Sequence, residues 1–118
     1  MPINLIRLSL VDSPVTLEEG QKILERDDYK CRYCGLDGRA SFENALVMRV
    51  DFVVPRARKG KKTPENLVAC CTACNTIKGT RLYANLDHAK EDVLARREEL
   101  RKLWQEKVSR SKAKAAGA

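Results

Sequence analysis

The chain has 118 residues, a formal net charge of +7, 43% hydrophobic and 33% charged residues. That length suits one domain with a modest core, and the composition excludes a chain that is disordered throughout or embedded in a membrane. The excess of lysine and arginine favours a polyanionic partner, nucleic acid above all, over an acidic small molecule.

The opening stretch, MPINLIRLSLVDSP, has no basic segment followed by a long apolar run, so no secretory leader is expected. Apolar alternation from Ile3 to Val11 reads as an edge strand ended by Ser13-Pro14. Thr16-Leu-Glu-Glu19 then has the form of a capping box, which predicts a helix to about Asp27 with Leu17, Ile23 and Leu24 turned inward. Gly20 weakens that helix.

Tyr29 to Gly35 reads as a thiol-bearing turn, and residues 46–54, apolar and β-branched, as a strand. The most apolar stretch, ALVMRVDFVV, is broken by Arg49 and Asp51 and is too short to span a bilayer. A turn rich in lysine and glycine, Arg58 to Lys62, follows. A short helix is expected from near Thr72 to Gly79, whose glycine suits a C-terminal cap. From about Leu86 to Val108, Ala89, Val93, Leu100, Leu103, Trp104 and Val108 fall at helical spacing. The expected organisation is a single domain over residues 1–110, followed by a flexible basic tail, 111–118.

Cysteine usage is the sharpest signal. Cys31 and Cys34 form one Cys-x-x-Cys pair, and Cys71 and Cys74 form another. Two such pairs suit tetrahedral zinc, each supplying two thiolates from one tight turn. Cys70 breaks the two-residue gap to Cys74 and reads as a small core residue. An odd total of 5 cysteines fits a reducing, cytoplasmic setting better than a secreted disulfide scaffold.

Between the thiol pairs lie VDFVVP (Val50 to Pro55) and TPENLVACCTACN (Thr63 to Asn75). The order is Cys-x-x-Cys, Asp-x-hydrophobic-x-Pro, Glu-Asn-Leu, then Cys-x-x-Cys-Asn-x-x-Lys-Gly. Running from Cys31 to Gly79, it resembles the HNH endonuclease family in its zinc-supported form. The resemblance implies an α+β fold with a ββα-metal, treble-clef-like core over residues 31–79 and a structural zinc. An N-terminal helix and a C-terminal helix over about 86–108 would flank that core. It also implies a metal-dependent phosphodiesterase acting on DNA.

Carried over position by position, the family pattern makes Asp51 and Asn75 ligands of a catalytic divalent cation such as Mg²⁺ or Mn²⁺. It makes Asn66 the residue that orients the base and braces the loop, and it sets Lys78 where it approaches a phosphate. The general-base histidine of the pattern is replaced by Phe52. That is the departure that counts, because phenylalanine has no titratable atom, and losing a positioned base lowers rates by about 10²–10⁴-fold.

Each of these positions also has a plainer reading. Asp51 suits a strand-end ion pair, but its order with Asn66 and Asn75 favours the metal site; Asn66 suits a turn as well as an active-site brace, and Asn75 suits a helix cap as well as a ligand. His88, the sole histidine, reads as a solvent-facing helical residue rather than a substitute base. Arg49, Arg56, Arg58, Lys59, Lys61 and Lys62 form a basic run beside the expected phosphate pocket, which favours contact with the DNA backbone over a merely solvated face. Tyr33 and Tyr83 suit packing around the thiol turn better than base stacking.

The preferred function is therefore a zinc-stabilised, metal-dependent endonuclease on double-stranded DNA, with a homodimer through the Leu100 and Trp104 stripe compatible with cutting both strands. The alternatives are a non-catalytic zinc-containing nucleic-acid-binding module and a zinc-knuckle protein–protein adaptor.

Overall fold

The computed structural model describes residues 14–117, so the edge strand expected around Ile3 to Val11 lies outside the described residues. Helix α1 spans Leu17–Arg26 and opens on the expected capping box. The Thr16 hydroxyl accepts from the Glu19 N–H at 3.1 Å, while Glu19 Oε1 accepts from the Thr16 N–H at 3.0 Å. Its inward stripe is Gly20, Ile23 and Leu24. Leu17 is 39% exposed; it shares the helix face of Gly20 and Leu24 but stands at the first residue of the helix, and the expectation of an inward Leu17 is corrected. Beyond Asp27 the chain turns through left-handed backbone at Asp28 and Tyr29 into the thiol knuckle.

Asp27 ties this end of α1 to two other segments. Its Oδ1 accepts from Arg26 Nε at 3.0 Å and Arg32 Nη1 at 2.8 Å, and its Oδ2 from the Ala69 N–H at 2.9 Å. Burial opposes ionisation, yet these donors outweigh it and hold the carboxyl below the usual aspartate range.

A short helix α2, Phe42–Leu46, precedes the sheet, with the Ser41 hydroxyl accepting from the Asn44 N–H at 3.1 Å. Strand β1, Met48–Phe52, pairs antiparallel with β2, Leu67–Cys71, in a register that sets Met48 opposite Cys71 and Phe52 opposite Leu67. The strand is shorter than the predicted 46–54 because α2 takes residue 46 at one end. At the other, the Val53 N–H still reaches the Asn66 carbonyl in register, but the Val54 N–H turns to the Asn66 side chain and the strand ends.

Alternation along the hairpin sends side chains to two cores. Met48, Val50, Phe52, Leu67 and Ala69 pack with Val15, Ile23 and Leu24 on the α1 side. On the other face Val53, Val68 and Cys70 pack with Tyr33, Ala89 and Val93.

Helix α3, Thr72–Lys78, follows β2 without a loop and ends at Gly79, whose φ of 61° a β-carbon would disfavour. Helix α4 runs Leu86–Ala116, past the expected end at 108. Residues 111–116 of the predicted flexible tail are therefore helical. Serine, lysine and alanine carry the helix on, and no proline or glycine intervenes before Gly117. Its first turns bury Ala89 and Val93, while Leu100, Leu103 and Trp104 stay exposed. Among the described residues no helix is long and apolar enough to cross a membrane.

Candidate metal and nucleic-acid site

The sulfurs of Cys31, Cys34, Cys71 and Cys74 all lie within 4.8 Å of one another. A zinc ion with Zn–S bonds of about 2.3 Å sets its tetrahedral sulfurs about 3.8 Å apart, and Cys34 Sγ lies 3.8 Å from Cys71 Sγ. The donor set fits zinc. In each turn the N–H of the second cysteine points at the sulfur of the first, Cys34 at Cys31 and Cys74 at Cys71. Arg97 Nη1, 3.6 Å from Cys74 Sγ, adds a cation beside what would be a thiolate-rich centre. Cys70 is wholly buried and outside the cluster, as its spacing suggested.

Asp51 lies on the face of β1 turned toward this centre, and it is buried. The Tyr33 hydroxyl donates to its Oδ2 at 2.6 Å, and Lys78 Nζ lies 3.4 Å from the same oxygen. Lys78 also donates to the Phe52 carbonyl at 3.0 Å. Burial pushes the Asp51 carboxyl up, against Lys78 and the Tyr33 hydrogen bond, which favour its charged form. Burial, and then the Asp51 charge, push the Tyr33 phenol up.

Lys78 is 1% exposed, which corrects its expected place at a phosphate. Helix α3 packs this side chain inward, where its ammonium compensates a carboxylate that would otherwise be buried unpaired. Helical spacing shows that Asn75 and Lys78 share a face but does not say which neighbour that face meets. Tyr33, read from sequence as knuckle packing, has the additional task of fixing Asp51; its place between two metal ligands was the available signal.

Asp51 and Asn75 border one cavity of about 230 Å³, together with Arg49, Phe52, Arg56 and Gly79. Phe52, at the position of the missing base, packs in the α1-side core and borders this cavity too. An aspartate and an asparagine offer hard oxygen donors suited to Mg²⁺ or Mn²⁺, so the residues present fit a two-ligand divalent site.

Asn66 braces the loop between the strands. Its Oδ1 accepts from the Val54 N–H at 2.8 Å, and its Nδ2 donates to the carbonyls of Val54 at 3.1 Å and Lys61 at 3.0 Å. The side chain thus replaces ladder bonds that the diverging strands no longer make. In that loop a β-carbon on Gly60 would lie 1.7 Å from the Val54 carbonyl oxygen, so the turn closes only over glycine.

Of the expected basic contacts, Arg56, Arg58, Lys59, Lys61 and Lys62 are all exposed, and Arg56 borders the cavity. Arg58 Nε donates to the Thr80 carbonyl at 3.1 Å, and Lys62 pairs with Glu19 at 3.1 Å, toward α1. His88 lies on the first turn of α4, where its Nδ1 accepts from the Ala84 N–H at 3.1 Å. It is exposed and does not border the cavity.

A two-stranded antiparallel sheet leading directly into a helix, with a four-cysteine cluster at the junction, forms the frame of a ββα-metal core. Residues 31–81 match the HNH endonuclease family model. The matched segment takes in all four clustered cysteines together with Asp51, Phe52, Asn66, Asn75 and Lys78. The chain is also 40% identical over 62 residues to the CRISPR-associated endonuclease Cas9 of Corynebacterium diphtheriae. The match takes in 52% of this chain and 5% of that protein, so the chain spans about a twentieth of the length of the curated relative it matches. No solved structure gives a significant match.

Proposed function

We propose that the chain is an HNH-type, metal-dependent endonuclease that hydrolyses phosphodiester bonds in double-stranded DNA. The observation that supports this reading is the shared cavity, which Asp51 and Asn75 border together with Arg49 and Arg56. Asp51 and Asn75 would hold the divalent cation, which when bound polarises a phosphate and stabilises developing charge. Arg49 and Arg56 hold the DNA backbone, and the exposed loop Arg58 to Lys62 extends that basic surface. Asn66 keeps the loop in place. With Phe52 in the base position, water is activated without a side-chain acceptor, and turnover is slow by about 10²–10⁴-fold relative to a base-equipped site.

A homodimer through the exposed Leu100, Leu103 and Trp104 belongs to this reading, since two sites serve two strands. The unpaired thiols support a reducing, cytoplasmic setting.

A second reading is favoured by the buried Asp51–Lys78 pair together with Phe52: a zinc-stabilised module that binds DNA and does not cut it. Supercoiled plasmid incubated with Mg²⁺, Mn²⁺ or Ni²⁺ separates the two. Metal-dependent nicking that disappears in Asp51→Ala supports the nuclease. Salt-sensitive binding with no nicking by either protein supports the module. Because Phe52 borders the cavity, Phe52→His is expected to raise nicking by about 10²-fold in a working site.

A further inference from the structure

We propose that Lys78 is the resident counter-cation of the Asp51 site and sets how tightly that site takes a divalent metal. This rests on reading Asp51 as a cation ligand. The Tyr33 hydroxyl and the Lys78 ammonium both meet the carboxylate at Oδ2, and both come from segments that the four-cysteine centre holds. Tyr33 stands between Cys31 and Cys34, and Lys78 ends the helix that carries Cys74. Tyr33 fixes the carboxylate rotamer without bringing charge. Lys78 brings the charge, and its bond to the Phe52 carbonyl anchors the ammonium to the same strand that presents Asp51.

An ammonium 3.4 Å from the ligand oxygen already supplies the positive charge that a buried carboxylate requires. A divalent ion entering between Asp51 and Asn75 must share the carboxylate with a like charge that is nearly inaccessible to water and therefore poorly screened. Lys78 thus holds metal affinity down and gives Asp51 a compensated state when no metal is bound. A lysine that merely filled space would have no such effect.

Mn²⁺ binding to the zinc-loaded full chain, measured by electron paramagnetic resonance, tests the assignment. Lys78→Met removes the charge at similar volume, and Lys78→Gln keeps a donor for the Phe52 carbonyl should the methionine variant fail to fold. Either variant is expected to bind Mn²⁺ about tenfold more tightly or better, with zinc content unchanged, and adding Asp51→Asn is expected to remove the gain. Folded variants that bind Mn²⁺ no more tightly than the wild type overturn the proposal.

In the wild type, the ¹⁵Nζ resonance of Lys78 must shift on addition of Mg²⁺. An unmoved resonance overturns the proposal even if neither variant folds. Tighter Mn²⁺ binding with no plasmid nicking by any form would leave Lys78 in this role and remove the nuclease. Nicking by the wild type with no gain in the variants would do the reverse.

Discussion

Asp27 and Asp51 are both buried, and their surroundings shift them in opposite directions. Asp27 receives two arginines and a strand N–H, which hold its pKa below the ordinary 3.8 despite burial. A carboxyl depressed by folding contributes stability above its unfolded pKa and loses it as pH falls through the folded value. Asp27→Asn is therefore expected to lower unfolding free energy at pH 7 by about 1–3 kcal/mol and by much less near pH 3. Urea denaturation at the two pH values reads the difference; an equal loss at both would show that the charge is not what matters.

Asp51 has the reverse sign. Burial raises it, so the folded state holds a proton there more tightly, and this group's contribution grows as pH falls through its raised pKa. That Asp51 and Asn75 border one cavity was foreshadowed by the order of the motif, whereas Asn66 lies outside that lining and braces the loop. The buried contacts on Asp51 were not legible, because spacing cannot say whether a lysine on a helix meets solvent or a carboxylate.

At the scale of elements, legibility followed local chemistry. Helix α1 announced itself through its capping box, a signal complete within four residues. Thr16→Ala is expected to lower stability by about 1 kcal/mol, measurable as a shift in urea midpoint with unchanged slope. Helix α2 was missed because FENAL, at five residues, is too short to show a helical period, although the Ser41 cap was there to be read. The loop between the strands was legible as a basic turn, but its closure was not.

That closure depends on Asn66 standing in for a strand and on Gly60 passing against Val54 and Pro55. Gly60→Ala sets a β-carbon against two backbone carbonyls, neither of which can move without shifting the loop. It is expected to destabilise the protein by about 2 kcal/mol or more and to weaken DNA binding, because Arg56, Arg58 and Lys59 ride on that turn. Retained affinity in a filter-binding titration would mean that the loop is not the DNA contact.

The whole molecule hangs on a hairpin of two strands, which alone is marginal in water. One face is covered by α1, and the other by the knuckle, α3 and the start of α4. On that second face the covering segments meet at the four sulfurs. A structural zinc bound there would contribute an apparent binding free energy of about 10–16 kcal/mol, against a total stability of about 5–15 kcal/mol for a domain. Without the ion, the knuckle would keep its backbone bonds, among them Cys31 N–H to the Leu36 carbonyl and Arg32 N–H to the Ala69 carbonyl. It would lose the link from Cys31 and Cys34 to Cys71 and Cys74 that steadies Tyr33 against Asp51.

Stripping zinc with a strong chelator is therefore expected to abolish the cooperative thermal transition and the hairpin signal in circular dichroism. The exposed C-terminal turns of α4, which pack on little else, would keep part of their helicity. Cys74→Ser should behave like the stripped protein. Cys70→Ser should retain one zinc per chain, since Cys70 is buried outside the cluster. A stripped chain that still melts cooperatively at the native temperature would mean that the two cores suffice alone. The geometry between Asp51 and Asn75 would then be independent of the sulfur centre.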